Sequence, residues 1–488
     1  MKACLFLHRR YTQIGHALAV NLKKLGIAEF CAYVSFRPPY DFLISQKDIK
    51  YTALLLDQDL QSQSEKEILD LEFIKNLEKK YGIPNLWPYL YNDRTIMMGI
   101  PPREYQWSPK PPFSHEEMMK AIQVRAKAII AMLEKEKPDF IFMAVVNNLG
   151  PTLLYHIAKK MGIRTVLLSP TRIGIKWNLS GDYKTFTETN KIFEDYQNGI
   201  RKNNHREEAI KFLETFRANP SPYFKRYIPQ SGYTKTFKSF FWLIKSSLKY
   251  IFKKNKGFDD EIPWLTFWDK IQTKMRNLYG FSDFYFEPNY KEDYAFYTLH
   301  EEPEMATLLY APHYTDQIQV IKQIARSLPL HFKLYVKEHP YMVGYRPRAY
   351  YKELLKIPNV CLINPNLKSF ELTSNAKIVF GITATANWEA ILLKKPAISF
   401  GETFYNKLSM VKRCSSYENL PFLTKQQLEN FHYNEEELIN FISAILEDSV
   451  EADIVNLWEG PAMTNEKMYE NEGITRLAAF LIKYLKNS

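Results

Sequence analysis

The chain has 488 residues, 46% of them hydrophobic, and a formal charge of +11. That length exceeds one ordinary core and fits two or three domains, and the apolar content excludes wholesale disorder. The charge is local: Lys225, Arg226, Lys235, Lys238, Lys245, Lys249, Lys253, Lys254 and Lys256 occupy one segment with no acidic residue among them, which points to a single anionic partner surface.

From the N-terminus, ACLFLH reads as a strand, Gly15 as the opening of the helix HALAVNLKKLG, and FCAYVSF as a second strand. MKACLFLHRRY is too short in apolar residues for a signal peptide, and no run reaches the ~20 apolar residues of a membrane span. Residues 116–136 read as a long amphipathic helix, PDFIFMAVV as a strand, NNLGPTLLYHIAKKMGI as loop and helix, and RTVLLSP as another strand. Strands alternating with helices imply a parallel sheet. Residues 178–275 show no clean alternation and read as helices with loops. From Tyr294 the order returns: AFYTLH, KLYVKEHP, NVCLINP, KIVFGIT and AISFG are strands with helices between them, a second doubly wound sheet. EGITRLAAFLIKYLKN is a closing amphipathic helix. The four cysteines, Cys4, Cys31, Cys361 and Cys414, have neither CxxC nor zinc-like spacing, so no metal site is expected and a reducing cytoplasm is the default compartment.

Ligands of open parallel sheets lie outside the carboxyl strand ends, and in the second sheet those ends are polar. The first gives LHEEPE, the second KEHP, the fourth TATANWE and the fifth FGETFY. In TATANWE, threonine hydroxyls meet a helix start, whose unsatisfied N–H groups suit a phosphate; the bland alternative is an N-cap by Thr385. In KEHP, strand alternation puts Lys337 and His339 on one face, and an imidazole can donate to a phosphate oxygen. The glutamates of LHEEPE read either as a solvated loop or as the carboxylates that group transfer needs, with Glu304 and Glu301 as the candidate catalytic bases.

The run from LHEEPE through LYVKEHP to TATANWEAILLKKPAISFG resembles the bacterial capsule and surface-polysaccharide biosynthesis family, related to the Kdo transferases of capsule assembly. The resemblance is dense over residues 294–406. It implies a GT-B-like α/β fold: two Rossmann-like doubly wound domains facing a cleft, with a helical insertion and a C-terminal helix. The expected division is 1–290, carrying the acceptor side and a basic helical insertion at about 178–275; 291–465, holding the nucleotide sugar; and 466–488, a helix packing back on the first domain. The resemblance further implies a metal-independent glycosyltransferase with no cofactor beyond its donor substrate. Donor contacts would fall on Lys337, His339, Pro340, Thr383, Thr385, Asn387 and Glu389. Ala384 and Asn387 stand where the family usually has glycines, which puts the left-handed geometry of that turn in question. The N-terminal half matches weakly, through RRYTQIGHALAVNL, PDFIFMAVVNN and LLSPTRIG; its acceptor-side candidates are His16, Asn147 and Arg172.

A His–Pro pair with a threonine segment suits one phosphate, hence a CMP-activated ulosonic acid donor such as Kdo; Arg346 and Arg348 keep a UDP- or GDP-linked donor open. The acceptor is expected to be a glycan or lipid-linked glycan. Two readings from other classes remain: a noncatalytic assembly or export scaffold, and a nucleotide-sugar epimerase. The basic segment 223–256 interleaves lysines with aromatic residues. It reads either as a peripheral contact with the anionic cytoplasmic face of the inner membrane or as a solvated insertion packed on the first domain. No nucleic-acid motif accompanies it.

Overall fold

A computed structural model describes residues 1–98, 113–222, 236–252, 263–460 and 463–487. Much of the basic segment singled out above, 223–235 and 253–262, lies outside the described residues. The strands run in chain order as β1 (Lys2–Leu7), β2 (Glu29–Val34), β3 (Tyr51–Leu56), β4 (Phe140–Met143), β5 (Arg164–Pro170) and β6 (Lys176–Ser180). They continue as β7 (Tyr294–Thr298), β8 (Lys333–Lys337), β9 (Val360–Ile363), β10 (Ile378–Gly381), β11 (Ala397–Ser399), β12 (Val411–Arg413) and β13 (Val450–Glu451). They form a seven-stranded sheet, β13-β6-β5-β4-β1-β2-β3, and a six-stranded sheet, β12-β11-β10-β7-β8-β9.

The first sheet is parallel from β3 to β5, and the β5–β6 hairpin and β13 add antiparallel strands at its edge. The second sheet is parallel throughout. In both, the chain winds outward on one side and returns to the other side of its first strand. The topological switch points therefore lie between β1 and β4 and between β7 and β10. This is the two-domain, doubly wound α/β plan expected from the sequence.

Apolar faces explain the packing. The helix Tyr11–Lys24 buries Ile14, Leu18 and Leu22 in one cluster with β1 and with Ile474, Leu477 and Leu481 of the closing helix Glu472–Asn487. Gly15 lies inside the first helix rather than at its start. A Cβ there would stand 2.3 Å from Leu7 Cδ2, so the glycine serves close helix–strand approach. The helix His115–Glu136 begins with a Ser114–Glu117 capping box, which satisfies two orphan N–H groups.

The expected helical insertion needs correcting. Its first residues are strand β6, and its helices Thr187–Gln197 and Arg206–Ala218 belong to the second domain by packing. Phe193, Tyr196, Ala209 and Leu213 share a core cluster with Leu438, Phe441 and Ile445 of the helix Glu435–Glu447, and Arg206 pairs with Glu436. The domains also interlock across the cleft. Ile173, at the tip of the β5–β6 hairpin, is buried in the second domain's cluster; Leu309 is buried in the first domain's.

Candidate functional site

The switch point of the second sheet holds the polar residues. β7 runs on into buried His300, and β10 into Thr383. The Thr383 N–H donates to His300 Nε2 at 3.4 Å, and the Thr383 hydroxyl donates to the Ala306 carbonyl at 3.0 Å. The side chain of Gln317 accepts the His300 N–H at 2.8 Å. Burial, and then the charges of His339 and Arg346, push the His300 imidazole down to about 3, so it is neutral at any physiological pH.

Thr385 is the first residue of the helix Thr385–Leu392, whose cap, Ala384, is extended at φ −72° and ψ 140°. No residue from Gly381 to Asn387 is left-handed; the turn works without the family's usual glycines. Gly381 is required for space instead: a Cβ there would lie 2.6 Å from Ala384 Cβ and 2.7 Å from Asn387 Oδ1. Asn387 is fully buried, and its Nδ2 donates to the Ile398 carbonyl at 2.9 Å. Its amide braces the helix against β11, and its Oδ1 is buried without a partner.

The ends of β8 divide as strand alternation requires. Lys337 is buried, and its Nζ donates to Ser369 Oγ at 3.0 Å. Burial pulls its ammonium down to about 8, with Glu338 and Glu389 acting against that shift. Half-buried Glu389 is pushed up to about 7 by burial, opposed by the charges of Arg172 and Lys337. Such opposed shifts in one place mark a candidate functional site. His339 lies beyond the strand, and its Nδ1 accepts the Tyr341 N–H at 3.4 Å. Pro340, itself exposed, opens the turn Pro340–Met342 that follows.

Glu338 points to the other side. Its carboxylate meets Arg346, the His339 N–H at 2.6 Å and the Tyr351 hydroxyl at 2.7 Å. Arg346 also donates to the His300 carbonyl at 2.7 Å and to Glu302 at 3.0 Å. This buried network locks the ends of β7 and β8 together. Arg348 pairs with Asp283 and donates to the Gly280 carbonyl at 2.5 Å. Both arginines held in reserve for a pyrophosphate are committed to structural bonds. Of the glutamates after β7, Glu301 is half-buried and Glu304 exposed, with the Glu304 carbonyl accepting from Leu308 N at 3.0 Å.

The first domain contributes from its own carboxyl edge. Arg172, in the β5–β6 hairpin, reaches the surroundings of Glu389, Tyr310 and Tyr405. Asn147 follows β4, and its Oδ1 is buried without a partner. His16 does not join them. It is fully buried, bonded through Nδ1 to the Tyr51 hydroxyl at 3.0 Å, and ringed by Phe42, Tyr51 and Tyr469. Tyr51 begins β3, so His16 sits toward the amino edge, as a core residue. Sequence reasoning missed His300 and Arg94, which donates from the first domain to the Pro303 carbonyl at 3.2 Å. His300 was accessible as the residue closing the strand of LHEEPE; Arg94 sits in a short helix with no motif around it.

Comparison with known proteins adds the following. Residues 289–432 match the sequence model of a family described as capsule polysaccharide biosynthesis protein. Among solved structures, the Thermosulfurimonas dismutans KpsC beta Kdo 2,7 transferase is 13% identical, covers 77% of this chain and 98% of its own, and superposes with a TM-score of 0.36. The beta Kdo 2,4 transferase of the same KpsC gives 12%, 71%, 88% and 0.38. The UDP-GlcNAc 2-epimerase of Neisseria meningitidis bound to UDP-GlcNAc is 15% identical over the whole of both chains, with a TM-score of 0.29. At these values the structural likenesses carry no argument about chemistry. No curated protein matches the chain. Residues 289–432, which carry the second sheet and its polar carboxyl edge, thus match the model of the capsule polysaccharide biosynthesis family, in line with the motifs of the sequence.

Proposed function

We propose that the protein is a glycosyltransferase of capsular or surface polysaccharide assembly, moving a sugar from a nucleotide donor seated at the β7–β10 switch point to an acceptor on the first-domain side. The observation that carries this reading is the convergence there of Lys337, Glu389 and the His300–Thr383 pair, with Arg172 arriving from the opposite domain. Cations and a helix start suit a donor phosphate. In the transfer, the bond from the anomeric carbon to the phosphate oxygen breaks and a bond to an acceptor hydroxyl forms. The hydroxyl proton passes to a carboxylate, for which Glu301 and Glu304 are the candidates.

The donor favoured is CMP-linked, as in an activated ulosonic acid. Arg346 and Arg348, the side chains a pyrophosphate would have recruited, are bound to Glu338, Glu302 and Asp283, which supports a single phosphate. CMP should raise the melting temperature of the protein while UDP and GDP do not, and His339→Ala should lose most of that shift. A shift with UDP or GDP alone would remove the CMP assignment.

A surface feature favours an acceptor carried on a membrane. The helices Thr236–Ile251 and Pro263–Tyr279 pack together through Tyr250 and Trp264. Yet Leu248 is 51%, Phe252 78%, Trp268 56% and Leu278 57% exposed. Lys245, Lys249, Lys270 and Lys274 stand beside them, the combination that seats a helix on an anionic lipid surface. Among the described residues no helix is long and apolar enough to cross a membrane.

A further inference from the structure

At the carboxyl edge of the first sheet, where Asp57 pairs with Arg125 and Asp93 accepts the Leu149 N–H, two further arginines have no ion pair among the described residues. β1 runs on into His8 and Arg9, and the helix Arg94–Met98 brings Arg94 to the same place. Both guanidinium charges bear on His8, whose buried ring meets Ser35 Oγ through Nδ1 at 3.0 Å. Arg94 donates to the Pro303 carbonyl at 3.2 Å, and the Arg9 guanidinium lies 5.7 Å from the Phe36 ring centroid. No carboxylate lies within ion-pair distance of either among the described residues. Arg9 is exposed and Arg94 half-buried, whereas the buried Arg125 faces Asp57, and the buried Arg346 faces Glu338 and Glu302.

The backbone at this edge is unusual as well. Of the five non-glycine residues described with positive φ, three follow the neighbouring strands β1, β4 and β5: Arg9 at 46°, Asn148 at 65° and Arg172 at 67°. Left-handed backbone is unfavourable for such residues and clusters where structure serves a ligand. The three, Arg9, Asn148 and Arg172, stand at the carboxyl ends of three adjacent strands, β1, β4 and β5.

We propose that Arg9 and Arg94 form an anion subsite that holds a carboxylate or phosphate group of the acceptor, facing the Glu301–Glu304 loop. That the ligand is the acceptor rests on the glycosyltransferase reading; that the subsite takes an anion does not. Guanidinium forks match both anions in two-bonded geometry. The Arg94 bond to Pro303 ties the subsite to the loop that carries the candidate bases, so an anion held here would orient a neighbouring hydroxyl toward them.

The test is calorimetric titration of the full chain, with CMP present, using sodium phosphate, D-glucuronate and uncharged D-glucose, on the native sequence and on Arg9→Gln and Arg94→Gln. At least one anion should bind and glucose should not. Each substitution should weaken the anion by ~10-fold or more, the scale of one charge-assisted pair. Arg9→Gln should leave the CMP melting shift unchanged. Phosphate binding alone identifies a phosphorylated acceptor, and glucuronate binding alone a uronic or ulosonic one. Absence of anion binding, equal binding of glucose, or undiminished affinity in Arg9→Gln overturns the subsite. Arg9→Gln is the decisive variant, because Arg94→Gln also removes the Pro303 contact. If CMP gives no shift in the native protein while the anion is lost in both variants, the donor assignment falls and the subsite stands.

Discussion

Replacing Arg346 by methionine should destabilise the second domain more than any change at its surface. Arg346 is 1% exposed and lies between Glu338, also 1%, and Glu302, 14%. Methionine fills much of the volume but leaves two carboxylates and the His300 carbonyl without their donor. Breaking a buried pair from one side costs ~3–5 kcal/mol. At about 2–4 °C per kcal/mol for a domain of this size, Tm should fall by roughly 6–20 °C. The pH dependence has a definite sign. Burial holds the Glu302 carboxyl above the usual carboxylate range, and Arg346 acts against that shift. A raised carboxyl costs the fold stability at neutral pH, and that cost disappears as the pH falls and the group takes up its proton. Removing Arg346 raises the carboxyl further, so the variant's deficit should be largest near neutrality and shrink toward about pH 5. Calorimetric melts at pH 7.5 and pH 5 measure both effects, and Arg346→Lys, which keeps the charge but loses the fork, should fall between. A Tm within ~1 °C of the native protein, or a deficit that widens in acid, would refute the argument that the network is a buried, mutually dependent ion cluster.

Three further outcomes are expected. Lys337 is held down to about 8, so CMP affinity should fall as pH rises from 7 to 9 and the cation is lost, and Lys337→Met should abolish that step; a flat profile in the native protein excludes Lys337 from the phosphate site. Gly381→Ala must push Ala384 and Asn387 apart and should cost ~1–3 kcal/mol in urea unfolding, whereas a neutral result would mean that the turn is looser than its contacts indicate. Leu248→Asp with Trp268→Asp should reduce sedimentation with phosphatidylglycerol-containing vesicles while leaving CMP binding alone, and unchanged sedimentation would dismiss the helical pair as a membrane seat.

Much of the second domain was legible because its signals are local. Each strand there is a short apolar run, each helix has its own apolar stripe, and the polar residues at the carboxyl ends stand directly after the strands that carry them. Lys337 and Glu338 could be assigned to opposite faces because alternation along a strand is a property of a few consecutive residues. The same reasoning failed where the deciding neighbour is distant. That the Asn387 amide bonds the Ile398 carbonyl, on the next strand, could not be read from TATANWE. His16 looked available beside RRYTQIG until Tyr51, Phe42 and Tyr469 closed around it.

The amino-acid sequence by itself determined the α/β class, the second doubly wound sheet and the likeness of residues 289–432 to capsule polysaccharide biosynthesis proteins, because strand and helix periods and strand-end motifs are written within short windows. Only the tertiary structure decided which domain the helices Thr187–Gln197 and Arg206–Ala218 join, that β13 returns to the first sheet, and that Arg346 is buried between Glu338 and Glu302. It also decided that Arg94 meets the Pro303 carbonyl in the Glu301–Glu304 loop and that Arg172 comes to the surroundings of Tyr310 and Glu389. Burial and charge balance depend on what packs against a residue from elsewhere in the chain, and no local pattern carries that information.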